Sequence, residues 1–157
     1  MTKAQDSRPE SFELDHDAVA APYVRIAGEK DLRGGGHVTK YDVRFCQPNI
    51  EHLVMPTVHS IEHSLATTLR WHSDDVIDIS PMGCQTGFYV TVDGPTDFPA
   101  FTELLAASLG DVLTLGETPA ATRKQCGFAA SHDLDGAKAA VQSFLDHRDE
   151  WTSVYSH

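Results

Sequence analysis

His37-Val-Thr-Lys-Tyr-Asp-Val-Arg-Phe-Cys46 alternates residue by residue: Tyr41, Val43 and Phe45 point one way, and Lys40, Asp42 and Arg44 point the other. A period of two marks a strand buried on one side only. A sheet with one apolar face must be covered by another layer. Pro48 and Asn49 close the strand. Upstream, Pro22-Tyr-Val-Arg-Ile-Ala27 reads as a neighbouring strand that ends in a turn over Gly28 to Asp31. Gly34-Gly35-Gly36 lacks the flanking residues of a phosphate-binding loop and reads as a hairpin connection.

The covering layer lies downstream. After Pro56, the stretch Thr57 to His72 carries Val58, Ile61, Leu65 and Leu69 at spacings of three and four, the apolar stripe of a helix. Asp75 to Ser80 and Thr86 to Val92 read as two more strands around the loop Pro81-Met-Gly-Cys84. Asp97 is placed to cap a helix with Pro99 in its first turn, where a missing N–H costs little. That helix carries Phe101, Leu104, Leu105, Leu109, Val112 and Leu113. Thr118 to Gln125 fits a short helix or a loop. A last helix starts near Asp133 and turns Ala137, Ala140, Val141, Phe144 and Leu145 inward. Helices and hairpins mix without strand–helix–strand alternation. The fold class is therefore α+β: one domain, an antiparallel β-sheet with helices packed on one face.

The chain has 157 residues, one domain by length. Residues 1–10 are polar and read as a flexible tail, leaving 11–157 as the domain. Twelve Lys and Arg against 23 Asp and Glu give a net charge of −11. So acidic a surface repels phosphate backbones and anionic lipid, which argues against nucleic-acid and membrane partners. No apolar run reaches the ~20 residues of a membrane-spanning helix, and the N-terminal stretch lacks the pattern of a secretory signal. Cys46, Cys84 and Cys126 are odd in number and without paired spacing. Reduced thiols in the cytoplasm are the expectation.

The strongest chemical signal is His59-Ser-Ile-Glu-His63. Residues four apart on a helix have Cβ atoms ~5–6 Å apart, so His59 and His63 can hold one metal ion from a single face. Glu62 lies beside them as a base that need not be a ligand. This is the H-x-x-E-H order. The same pattern also fits two polar histidines on an exposed helix edge. A third ligand is required, and Cys126, His132 and His52 are all available. Three protein ligands leave an open position for water or substrate, whereas a structural site is closed by a fourth, and none is obvious in the sequence.

Cys84 sits in Ser80-Pro-Met-Gly-Cys84-Gln-Thr-Gly87, where flanking glycines give an exposed thiol room to act as acid, base or nucleophile. Cys46, at the end of the alternating strand, reads as a small buried hydrophobe. Arg44 and Lys40 share the polar side of their strand, which reads as a solvated face. Asp78, between Ile77 and Ile79, falls in a strand expected to be buried, where a carboxylate needs a partner.

Together these stretches resemble the S-ribosylhomocysteine lyase family, which makes the autoinducer-2 precursor. The resemblance runs through Ser11-Phe-Glu-Leu-Asp-His16, Ala21-Pro-Tyr-Val-Arg25 and Tyr41-Asp-Val-Arg-Phe-Cys-Gln-Pro48. It continues through the His59–His63 block, Ile77-Asp-Ile-Ser-Pro-Met-Gly-Cys-Gln-Thr-Gly87, Lys124-Gln-Cys-Gly127 and His132-Asp-Leu-Asp-Gly-Ala-Lys138. By that resemblance His59, His63 and Cys126 are metal ligands, and the ion is Fe(II), with Zn(II) or Co(II) as substitutes. Glu62 and Cys84 become an acid–base pair. Ser11, His16, Arg44 and Asp78 become substrate contacts, with Lys40 a weaker candidate. The resemblance also implies a homodimer whose two active sites, each built from both subunits, lie at the interface.

The implied reaction cleaves S-ribosylhomocysteine to homocysteine and 4,5-dihydroxy-2,3-pentanedione. The chain departs from the family's usual residues at Ser60, Ile61 and Ser64, where Thr, Leu and Leu are usual. Two other readings start from the same residues. An inverzincin-type metallopeptidase shares H-x-x-E-H but uses a distant glutamate as third ligand. A non-enzymatic metal-binding module would use the histidine pair as a structural site.

Overall fold

The computed structural model describes residues 8–155. Most of the expected tail lies outside them, and Glu10 opens a short helix, α1 (Glu10–Glu13). The strands are β1 (Tyr23–Asp31), β2 (His37–Arg44), β3 (Val76–Pro81) and β4 (Gly87–Asp93). They form one sheet in the order β1-β2-β4-β3 with every neighbouring pair antiparallel. The long helices are α2 (Met55–His72), α3 (Phe98–Val112) and α4 (Leu134–Asp146). This is the expected single-domain α+β architecture. Among the described residues no helix is long and apolar enough to cross a membrane.

Strand β1 runs straight through the segment expected to turn. A bulge between Ile26 and Gly28 absorbs the irregularity there. The chain reverses later, where Leu32 N–H donates to Gly36 O at 3.0 Å. Gly35 and Gly36 have φ of +90° and +91°, a region that a side chain disfavours, which explains the glycine run.

The apolar stripe of α2 seals onto the sheet as its spacing requires. Val58, Ile61, Leu65 and Leu69 are buried with Tyr41 and Val43 of β2 and Phe88 and Val90 of β4. Each such side chain is worth ~1.5–3 kcal/mol of burial. The Tyr41 ring stacks on Phe101 of α3 at 3.6 Å between centroids. Phe144 of α4 stacks on Phe45 at 4.4 Å. Thr118 to Gln125 is irregular. Helix α4 starts where expected: Asp133 accepts from Gly136 N–H at 2.8 Å, and its other carboxylate oxygen accepts from the Thr57 hydroxyl at 3.3 Å. That pair ties the start of α4 to the first turn of α2.

One side of α2 is polar yet sealed. Ser60, Ser64 and Thr68, four residues apart, are all fully buried, and the hydroxyls of Ser64 and Thr68 have no hydrogen-bond partner among the described residues.

The opposite face of the sheet departs from the sequence reading. Asp42 and Arg44 are not solvated: they are 0% and 1% exposed. Strand register places Tyr23 across from Arg44 and Arg25 across from Asp42. A sealed carboxylate between two guanidinium groups replaces the expected solvent-facing row. Asp78 departs in the other direction. A bulge between Val76 and Asp78 turns it outward, and it is exposed with the Ser80 hydroxyl as its donor.

Candidate metal centre and companion pocket

His59 and His63 project from the same side of α2, and main-chain carbonyls fix both rings. His59 Nδ1 donates to Ser131 O at 2.7 Å, and His63 Nδ1 donates to Pro119 O at 2.8 Å. A carbonyl only accepts, so each Nδ1 carries the proton and each Nε2 has a free lone pair. Cys126 arrives from the loop between α3 and α4, with its Sγ 3.4 Å from His59 Nε2. It is buried, 9% exposed. Two imidazole nitrogens with free lone pairs beside a thiol are a donor set that suits zinc, ferrous iron or cobalt.

His132 stands in the same group. One ligand atom from each of His59, His63, Cys126 and His132 lies within 4.8 Å of every other. The His132 ring stacks on His59 at 3.9 Å between centroids, and its Nε2 lies 3.6 Å from Cys126 Sγ. Burial, with the two neighbouring imidazoles, holds His132 below the ordinary histidine range. Of the three candidates the sequence left open, Cys126 and His132 join the histidine pair. His52 does not: it is exposed, with Nδ1 against Leu53 O. Glu62, half-buried and next to His63 in the chain, stands outside the donor group.

The second set of candidate residues gathers elsewhere. Ser11, His16, Arg44 and Cys84 line one pocket of about 400 Å³ with Phe12, Pro81, Met82, Gly83 and Tyr89. Arg44 and Tyr89 alternate along their strands with core residues, so this pocket opens on the sheet face away from the helices. The donor cluster belongs to the helical layer, and the pocket beside Cys126 shares no lining residue with the Cys84 pocket. Glu62 and Asp78 line neither.

Within the Cys84 pocket the chemistry is set by hydrogen bonds the sequence did not flag. Arg44 donates to both carboxylate oxygens of Asp42 and, from Nη1, to the Thr86 hydroxyl at 3.1 Å. Thr86 Oγ1 then lies 3.0 Å from Cys84 Sγ. Asp42 also accepts from Arg25 Nε at 3.0 Å, and Arg25 pairs with Glu10. Asp42 carried only the generic signal of a polar residue on the open side of a strand, and Thr86 that of a polar residue at a strand start. Cys84 is exposed. Its loop is held by Gln85, at a φ of 62°, whose side chain donates to Leu53 O at 2.8 Å. Gly87 is obligatory here, because a Cβ would press on the main chain of Val43 and Arg44. Lys40 lies over the Tyr89 ring at 4.5 Å, on the same face.

Comparison with known proteins identifies the family. Residues 10–155 match the family model described as S-ribosylhomocysteinase (LuxS). An S-ribosylhomocysteine lyase from Listeria monocytogenes serotype 4b is 53% identical over 152 residues, covering 97% of this chain and 98% of that protein. One from Staphylococcus saprophyticus is 51% identical over 146 residues, covering 93% and 94%. One from Staphylococcus aureus strain JH9 has the same identity and coverage. With a matching model over nearly its whole length and relatives at half identity end to end, the chain belongs to the S-ribosylhomocysteinase (LuxS) family.

Proposed function

We propose that the protein cleaves S-ribosylhomocysteine to homocysteine and 4,5-dihydroxy-2,3-pentanedione, in the cytoplasm, as a homodimer. The observation that carries this reading is the cluster of His59, His63 and Cys126, with both imidazoles held with Nε2 free, in a chain 53% identical to a lyase of that name. The three free cysteines agree with a reducing compartment.

A thioether beside unactivated carbons does not break readily. The sugar carbonyl must first move from carbon-1 to carbon-3, so that the carbon-4 proton becomes acidic. Its removal then expels the sulfur from carbon-5 as the thiol of homocysteine. A divalent metal held by His59, His63 and Cys126, Fe(II) with Zn(II) or Co(II) as substitutes, supplies Lewis acidity toward the sugar oxygens when bound.

The chain's own residues do the rest. Cys84 and Glu62 take a proton from one carbon and return it to its neighbour, work typically worth ~10²–10⁴-fold in rate. Arg44 faces the amino-acid carboxylate: Asp42 and Thr86 occupy three of its five N–H groups, leaving donors for a ligand. Ser11 and His16, in the same pocket, contact the polar groups of the substrate, and Asp78 serves at its edge.

Cys84 and the metal ligands lie on different faces of the sheet in one chain. The homodimer therefore completes each site, with the Cys84 pocket of one subunit facing the donor cluster of the other. Exposed Phe12 beside the Cys84 pocket and exposed Phe128 beside Cys126 are apolar surfaces at the rim of each half, which suits such an interface.

The test is anaerobic incubation of iron-loaded protein with S-ribosylhomocysteine, following free thiol after subtraction of the protein's own cysteines. Metal-dependent release of homocysteine is expected. No release from metal-bound dimer would sink the reading.

A further inference from the structure

The role of His132 is decided by Ser60. The Ser60 side chain is sealed from solvent, and its Oγ has three neighbours. Asp133 N–H donates to it at 2.9 Å, the Thr118 hydroxyl donates to it at 3.2 Å, and His132 Nδ1 lies 3.1 Å away. A serine hydroxyl accepts two hydrogen bonds and donates one. Both acceptor positions are taken, so the Ser60 proton goes to His132 Nδ1. The bare nitrogen of the ring is then Nδ1, and the ring proton sits on Nε2, the nitrogen 3.6 Å from Cys126 Sγ. His59 and His63 have the opposite tautomer, because carbonyls face their Nδ1 atoms.

We propose that Ser60 and His132 form a positioning pair for Cys126: Ser60 fixes the His132 tautomer, and the Nε2–H of His132 donates to the ligand sulfur. This rests on the reading above of His59, His63 and Cys126 as ligands. A ring nitrogen that carries a proton cannot ligate, so His132 is not a fourth ligand and the open position survives. The donated hydrogen bond also draws charge from the sulfur, the way outer partners tune a metal's ligands. Ser60 holds both loops at once. Through Thr118 it fastens the segment whose Pro119 carbonyl orients His63, and through Asp133 the segment whose Ser131 carbonyl orients His59. A threonine at position 60 offers the same hydroxyl.

The test uses full-length protein labelled with nitrogen-15 in histidine and loaded with zinc. Long-range proton–nitrogen spectra are expected to show His132 with its proton on Nε2, and His59 and His63 with theirs on Nδ1. In the cobalt-loaded protein, His132→Ala and Ser60→Ala are expected to move the sulfur-to-metal absorption band to longer wavelength, while Ser60→Thr keeps it in place. His132→Ala is expected to lower cobalt affinity by roughly 10–100-fold, the usual loss for an outer partner, with four-coordinate band intensity retained.

A bare His132 Nε2 in the zinc protein would overturn the proposal. So would His132→Ala with band and affinity unmoved. The nitrogen spectrum needs no variant, so poor folding of Ser60→Ala does not blunt the test. The two readings separate cleanly. Proton on His132 Nε2 without homocysteine release leaves the pair standing and the lyase reading wrong, and release with a bare Nε2 does the reverse. Failure to take up zinc overturns both.

Discussion

Arg44 donates from Nε and Nη2 to the two carboxylate oxygens of Asp42, at 3.1 and 2.8 Å, with both side chains sealed from solvent. The carboxylate is shared, because Arg25 reaches it from β1. Removing it leaves two guanidinium groups facing each other, one of them buried. Asp42→Ala is therefore expected to destabilise the fold by ~3–5 kcal/mol, the range for stripping one partner from a buried pair. Urea unfolding checks this. A loss under ~1 kcal/mol would mean that the pair contributes little beyond packing.

Cys84→Ala should keep its metal and lose turnover, and His63→Ala should lose metal and turnover together. Mixed by unfolding and refolding, the two inactive proteins have a distinctive expected outcome. Each mixed dimer holds one site with neither lesion, if Cys84 and the ligands of a site come from different subunits. Random pairing then restores roughly a quarter of wild-type activity. No recovery from verified mixed dimers would place both halves of each site in one chain.

Ser64→Ala should raise stability. The Ser64 hydroxyl is buried without a partner among the described residues, and an orphaned hydroxyl is a desolvation cost of ~1–3 kcal/mol. A gain of about 1 kcal/mol, or ~2–4 °C in Tm for a chain of this size, is expected, with metal content unchanged. A fall in Tm would reveal a partner for that hydroxyl.

Burial should set the Cys46 thiol apart from exposed Cys84. Burial, with a smaller push from Glu51, raises the Cys46 thiol from its ordinary 9.0 to about 11. The folded state therefore holds this proton more tightly than the unfolded state. The resulting stabilisation is fully present below about pH 9 and is lost as pH climbs through about 11. At about pH 8 iodoacetamide is expected to alkylate exposed Cys84 and spare Cys46. Peptide mass spectrometry reads the order, and Cys46 modified first would contradict it.

What the sequence told and withheld follows from the range of each interaction. The α2 stripe of Val58, Ile61, Leu65 and Leu69 is local periodicity, and so is the alternation of β2; both survived intact. Alternation names two faces but not what covers them. The polar side of β2 thus reads as solvated, although Arg25 of β1 pairs with Asp42 and the Tyr23 ring lies against Arg44. Bulges at Ile26/Gly28 and Val76/Asp78 break a period of two without a residue signature. They account for the misplaced turn and for Asp78 facing out. In the site, His59 and His63 were legible because four residues make one helical turn. The choice among Cys126, His132 and His52 depends on how a distant loop folds back, which spacing does not encode. The family resemblance selects Cys126, and the part His132 plays depends on Ser60, a contact between segments far apart in the chain.

The imidazoles of His59 and His63 are steered by the main-chain oxygens of Ser131 and Pro119. A main-chain oxygen belongs to every residue type. Substitutions at 119 and 131 that preserve the path of the loops leave the steering untouched, so these positions can drift through evolution while their function stays constant. Two of the groups that set up this centre are in that sense anonymous: they are inherited through the shape of the backbone, and a search for invariant side chains would pass over both.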